Sequence, residues 1–189
     1  MGKNILASSS PRRADILKDK FNFEIVPSPY EEIHSTTVFS YEYVENLAYN
    51  KAKAVIPLVD DDCVIIGADT VVVLDDKILE KPKDIADAKR MLKELSNRTH
   101  QVVTAIAVIN TKNLKYVIQS TTSIVEFEDL TDEQIDFYVD NYKPLDKAGA
   151  YGIQELPEGY IKQYSGSLEN IIGICPVALE EAISKLLAF

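Results

Sequence analysis

Cys63-Val64-Ile65-Ile66-Gly67-Ala68 is an unbroken apolar run, with no polar residue at alternate positions. A strand with one face in water alternates; one without alternation reads as buried on both faces. Such a strand needs helices above and below it, which points to an α/β arrangement. The flanking pattern agrees. Residues 3–8 and 22–27 read as strands, separated by a helix from Pro11 to about Lys18. Residues 41–56 read as a helix with Ser40 as N-cap and Val44, Leu47, Ala48, Ala52 and Val55 on one face. Val71–Leu74 and Lys77–Leu79 flank Asp75-Asp76, a hairpin turn.

Farther along, Asp84 caps a helix whose apolar face is Ile85, Ala88, Met91, Leu92 and Leu95. Residues 101–110 and 114–127 are long β-rich runs joined near Asn113, hence an antiparallel hairpin. Thr131-Asp132-Glu133-Gln134 is a capping box opening another helix. Tyr151–Ile153 and Tyr160–Tyr164 read as short strands, and Leu179, Ala182, Ile183, Leu186 and Leu187 give a C-terminal amphipathic helix. The expected fold is α/β, a mixed twisted sheet flanked by helices. A chain of 189 residues suffices for one compact domain, or one domain with a small second lobe.

Chemistry concentrates first in Ser8-Ser9-Ser10-Pro11-Arg12-Arg13. Ser10 suits an N-cap, and Pro11 suits the first helical position, where its missing N–H costs nothing. Three hydroxyls and two guanidinium forks at a helix start favour a polyphosphate. The motif lacks the glycines of a P-loop. A Ser-Pro helix start followed by surface arginines is also a common plain structural element.

Gly67-Ala68-Asp69-Thr70 closes the buried apolar run, and ligands of open α/β sheets gather beyond strand carboxyl ends. Asp69 there could activate water, hold a divalent metal, or cap its own turn. In Glu80-Lys81-Pro82 the proline pushes Lys81 toward an extended conformation, leaving its ammonium free to reach sideways. Lys51 and Lys53 are two apart on one helix, so only one of them should point into a site. In Asp146-Lys147-Ala148-Gly149-Ala150-Tyr151-Gly152-Ile153-Gln154 small residues permit close approach by a ligand or backbone. Gln154 offers a donor and an acceptor together, which suits the edge of a base. Asp146 and Lys147 could simply pair with each other.

The net charge of −10 argues against a nucleic-acid polymer as partner, which would demand a broad basic face. It leaves a nucleotide open, because at moderate salt only charge within about 10 Å matters. No apolar stretch approaches the roughly 18–20 residues of a membrane span, so no membrane association is expected. Met1-Gly2-Lys3-Asn4 runs straight into a strand, with no signal peptide expected. Cys63 and Cys175 both sit in apolar runs and read as small buried residues of a reducing compartment, the cytoplasm. Of the two histidines, His100 reads as structural and His34 has no assigned role.

Ser8 to Arg13, Gly67 to Thr70, Glu80 to Pro82, His100 to Thr104 and Asp146 to Gln154, in that order and spacing, resemble the Maf family over nearly the whole chain. The resemblance implies a single domain over 1–189, with an inosine-triphosphatase-like fold and two lobes separated by a cleft. It implies a homodimer that hydrolyses nucleoside triphosphates to the monophosphate and pyrophosphate with a divalent metal cation, Mg²⁺ or Mn²⁺. Position by position, Ser8, Arg12 and Arg13 would grip the phosphates with Ser10, Lys51 and Lys81. Asp69 would be the proton acceptor, and Glu32 would join it as metal ligand. Arg12, Thr70 and Gln154 match positions tied to substrate choice. Gly-Ala-Tyr-Gly-Ile-Gln resembles the dTTP/UTP branch. A 7-methyl-GTP pyrophosphatase, or a nucleotide-sensing regulator of septum formation with little turnover, are the rivals. Two departures from the family pattern stand out. Gly173-Ile174-Cys175-Pro176 is one residue longer than the usual Gly-Leu-Pro, and Asn50 stands where an acidic residue is common.

Overall fold

The computed structural model describes residues 3–32, 36–60 and 62–188; His34 lies outside the described residues. In chain order the elements are β1 (Lys3–Leu6), α1 (Pro11–Leu17), β2 (Glu24–Ile25), α2 (Tyr41–Lys53), β3 (Cys63–Leu74), β4 (Lys77–Leu79), α3 (Ile85–Leu95), β5 (Thr99–Asn110), β6 (Tyr116–Phe127), α4 (Asp132–Tyr142), β7 (Ile161–Ser165), α5 (Leu168–Ile172) and α6 (Pro176–Leu187). Short 3₁₀ turns occupy Ile56–Leu58 and Ala148–Ala150.

The strands form a seven-stranded mixed sheet in the order β2-β1-β3-β5-β6-β7, with β4 also on β3. β1 runs parallel to β2 and β3, and every other pairing is antiparallel. The expected α/β class and mixed sheet are therefore present. Among the described residues no helix is long and apolar enough to cross a membrane.

β3 organises the molecule. The run Cys63–Ala68 and the hairpin strand Val71–Leu74 are one continuous twelve-residue strand, so Asp69 lies in mid-strand and not beyond a strand end. The strand continues because residues 71–74 are again apolar and pair with β5 in unbroken register from Val64↔Asn110 to Val73↔Gln101. The carboxyl end that matters belongs to β1. It stops at Leu6, opposite Ile66, whereas β4 takes up the same edge only at Val72. Residues 67–71 thus border a gap in that edge, and the gap is the mouth of a cleft.

Alternation along β3 then assigns the faces. Cys63, Ile65, Val71 and Val73 pack under α2 with Val44, Ala48 and Ala52. Val64, Ile66 and Ala68 turn to the opposite side, against α1 and α6 through Leu17, Ala178, Leu179 and Ala182. Farther along that side, Val72 and Leu74 leave α6 and join Ala88, Leu92, Ile135 and Tyr138 of α3 and α4. One face of the sheet therefore carries two apolar clusters end to end, and they divide at Thr70. The two lobes meet there.

Helix starts follow their sequence signals. Ser40 Oγ accepts from Tyr43 N–H, Asp84 from Asp87 N–H, and Thr131 with Gln134 forms the reciprocal capping box. Three expectations need correction. The helix expected over 41–56 ends at Lys53 and tightens into the 3₁₀ turn at Ile56–Leu58. The strands expected at 3–8 and 22–27 shorten to Lys3–Leu6 and Glu24–Ile25. No strand forms at Tyr151–Ile153, because Gly149 and Ala150 both adopt positive φ (65° and 61°) and turn the chain. The turn presses Gly149 against Val72, where an added Cβ would lie 2.9 Å from Val72 Cγ2.

Candidate active site

α2 brings Lys51 together with Asp69 and Glu32. Glycine at position 67 lets this helix lie directly on β3: a Cβ there would sit 2.3 Å from the carbonyl oxygen of Ala48. One turn on, Lys51 reaches Asp69 across that contact, Nζ to Oδ1 at 2.5 Å, and Glu32 Oε1 at 2.6 Å. All three are largely withdrawn from water, with side chains 14%, 7% and 24% exposed for Lys51, Asp69 and Glu32. An ammonium held between two such carboxylates offsets a desolvation penalty that neither acid could bear alone. Lys53 points elsewhere, its Nζ 5.8 Å from the centre of the Tyr49 ring, as the two-residue spacing requires.

The opposite wall is basic. Arg13 crosses from α1 and donates from Nε to the Gly173 carbonyl (2.9 Å), from Nη2 to Thr70 Oγ1 (3.1 Å) and from Nη1 to Ser8 Oγ (3.3 Å). Burial pushes the Arg13 guanidinium down, and the negative charge of Asp69 opposes that shift. Ser8 also accepts the Ser10 N–H at 3.2 Å. Ser10 does occupy the N-cap position, but its own hydroxyl caps nothing; Ser8, set deeper, ties the turn together. Thr70 shares its hydroxyl with Thr104 (2.9 Å) and Gly173 O (3.3 Å), and Thr104 donates to Asn170 O at 3.0 Å. Buried Asn170 completes this seam by donating to Val102 O and Ser123 Oγ.

The rest of the cleft is closed by the loop before β7. Arg12 Nη1 donates to Asp146 Oδ2 at 2.9 Å, bridging α1 to that loop. Lys147, almost wholly buried, pairs with Asp146 (2.9 Å) and Glu155 (3.1 Å). Burial raises the Asp146 carboxyl, but hydrogen bonds from Lys147 and Arg12 outweigh it and hold the group at about 2. His100 shares a 2.7 Å hydrogen bond with Tyr151 beneath the cleft floor. Burial lowers His100 to about 4 and raises the Tyr151 phenol well above its ordinary value.

These walls enclose a cavity of about 450 Å³. Ser8, Ser10, Arg12, Arg13, Glu32, Lys51, Asp69, Thr70, Lys81 and Gln154 all line it, so the structure gathers every sequence-predicted site residue into one cleft. Lys81 and Gln154 stand exposed at its rim. Sequence reasoning missed Tyr43, Glu80 and Tyr30, which share the lining. Tyr43 was within reach of it, being on the α2 stripe of Leu47 and Lys51 at four-residue spacing. Of the seam, Thr104 fell inside a segment that carries the family resemblance but had no role assigned, and Asn170 carried no sequence signal. The extra residue at 173–176 is absorbed harmlessly: Ile174 is fully buried, and Gly173, at φ 145°, keeps its carbonyl over Arg13.

A carboxylate in mid-strand, facing a guanidinium-bearing turn across a gap in the sheet edge, defines an α/β protein with a cleft lined by paired acidic and basic side chains. The Ham1 protein of Staphylococcus aureus shares this fold at a TM-score of 0.50 and 17% identity, covering 99% of this chain and 97% of its own. A family profile described as Maf-like protein matches residues 3–186, and the chain belongs to the Maf family. A Vibrio parahaemolyticus protein named dTTP/UTP pyrophosphatase is 40% identical over 184 residues, spanning 97% of this chain and 96% of its own. An Acetivibrio thermocellus protein of the same name is 43% identical over 181 residues, spanning 92% and 90%.

Proposed function

We propose that this protein hydrolyses dTTP and UTP to the nucleoside monophosphate and pyrophosphate. The observation that carries the reading is the pairing of Lys51 with Asp69 and Glu32 opposite the Ser8–Arg13 turn. It supplies a base, a cation and a polyphosphate grip within one cleft. The names of the full-length relatives at about 40% identity support the choice of nucleotides.

In this reading Ser8, Ser10, Arg12, Arg13 and Lys81 receive the triphosphate. Asp69 orients a water molecule and takes its proton as the water oxygen bonds to the α-phosphorus. The bond to the bridging oxygen breaks, and pyrophosphate leaves with its charge spread over Arg12, Arg13, Lys51 and Lys81. Gln154 reads the base edge from the rim, while Arg12 and Thr70 set the distance between base and phosphates. The substrate's phosphates displace Asp146 from Arg12.

Glu32 and Asp69 suit Mg²⁺ or Mn²⁺, which take hard oxygen donors, keep several waters and share coordination with substrate phosphates. Their oxygens already converge on one positive charge, the Lys51 ammonium. A bound cation would neutralise phosphate oxygens. Among the described residues no third acidic or histidine ligand completes a protein-only cage, in keeping with a site finished by substrate.

The one sheet running from Lys3 to Ser165 supports reading residues 1–189 as a single domain. Free, buried Cys63 and Cys175 support a cytoplasmic setting. A homodimer belongs to the same reading, and sedimentation tests it.

The decisive experiment is pyrophosphate release from a panel of nucleoside triphosphates with Mg²⁺ or Mn²⁺, comparing wild type with Asp69→Asn. Selective turnover of dTTP and UTP, reduced about 10²–10⁴-fold in the variant, is expected. Binding without turnover by wild type would replace this reading with a nucleotide sensor.

A further inference from the structure

Among the described residues, Tyr43 is the cleft-lining residue with a buried side-chain polar atom that makes no hydrogen bond. Its hydroxyl oxygen is buried, and among the described residues it has no hydrogen-bond partner. Its ring packs against the apolar cluster under α2 while its hydroxyl end belongs to a residue that lines the cleft. Tyr43 lines the cleft together with Leu47 and Lys51. Those positions, four apart on α2, form one stripe along the helix, with Tyr43 about 12 Å from Lys51 at 1.5 Å per residue. The helix start is fixed behind it, because the Tyr43 N–H is bound by Ser40 Oγ at 3.2 Å.

A buried hydroxyl without a partner is costly, because it has given up its hydrogen bonds to water and gained none. A site that carries such a cost in its empty form recovers it when a ligand supplies the acceptor. The chemistry around the phenol states what kind of acceptor. The cleft that it lines carries Lys51, Lys81 and Lys147 as well as Glu80, and Lys51 lies along the same stripe of α2. Lysines draw an anionic ligand, and a neutral O–H adds a directed bond to such a ligand with no further charge.

We propose that the Tyr43 hydroxyl donates a hydrogen bond to a phosphate oxygen of the bound triphosphate, making Tyr43 a further substrate-binding residue. This rests on the cleft being a nucleoside triphosphate site. Burial, then the nearby charges of Glu80, Asp69 and Glu32, raise the phenol above its ordinary value, so it keeps its proton as a donor should.

The test uses Tyr43→Phe, which removes one oxygen and nothing else. Inorganic tripolyphosphate and thymidine serve as separate probes in calorimetry, with dTTP turnover and thermal melting alongside. Tripolyphosphate affinity and kcat/KM for dTTP should fall about 10- to 100-fold, the range for a hydrogen bond to a charged group. Thymidine binding should not change, and the empty variant should melt at or above the wild-type temperature because a stranded group has gone. Tripolyphosphate affinity within twofold of wild type overturns the proposal. So does a loss confined to thymidine, which would place the phenol against the nucleoside. If wild type binds neither tripolyphosphate nor dTTP, the nucleotide reading of the cleft falls, and this inference falls with it.

Discussion

At the residue scale the centre of the molecule is Lys51. Its ammonium holds two carboxylates that are both mostly withdrawn from water, so its loss removes the cation that bridges them. Lys51→Met should destabilise the protein by about 3–5 kcal/mol, the usual consequence of removing one member of a buried ionic cluster. Urea unfolding at neutral pH measures it. Adding Asp69→Asn to that background should restore part of the loss, since one of the stranded charges goes with it. Much of this centre was legible beforehand. Asp69 stood in a recognisable motif, and the two-residue offset already said that Lys51 and Lys53 would not both point into a site. The partners of Arg13 were not legible. Gly173 and Thr70 lie 160 and 57 residues away in sequence, and one of the accepting atoms is a backbone oxygen, which every residue has.

Among the elements, α2 and β3 form the contact on which the site's geometry depends. Periodicity placed the buried face of α2 correctly, at Val44, Leu47, Ala48 and Ala52. It could not show how near the helix lies to the sheet, because that distance is set by a missing side chain at position 67. Gly67→Ala puts a methyl group inside the Ala48 carbonyl, a backbone atom that cannot rotate away. The helix must lift, costing at least the roughly 1–3 kcal/mol of ordinary overpacking. Lys51 lifts with it. Loss of dTTP turnover beyond what the lowered stability explains, measured well below the melting temperature, is the expected result. The short elements misled sequence reading for a different reason. Tyr151–Ile153 has strand-forming residues, but the left-handed backbone at Gly149 and Ala150 is fixed by contact with Val72, which is remote in sequence. α5 was overlooked because five residues are too few for a periodic pattern, although Ser167 as cap and Gly173 as stop bracket it.

For the whole molecule, acid stability reports on both lobes at once. His100, buried between Phe127 and Tyr151, falls from its ordinary 6.5 to about 4. The unfolded chain therefore takes up this proton first as the pH drops. Stability is complete above about 6.5 and declines toward 4 at up to about 1.4 kcal/mol per pH unit. Asp146, the link between α1 and the loop before β7, drops from 3.8 to about 2, so its contribution is present above 3.8 and lost as the pH falls through 2. Urea titrations from pH 7 to 3 should show the first decline, and His100→Gln should flatten it between 6.5 and 4 while leaving the more acidic limb in place.

The two lobes have no linker between them. Both are built on β3 and β5, which pass without interruption from one to the other and stay hydrogen-bonded through Asp69 and Thr70. A cleft made this way is braced by two strands that cross it, so opening it means bending the sheet as a plank bows. Its width is thus close to constant, and what enters is decided by the surface loops at the rim. The strand that bears Asp69 is also the beam that carries the load.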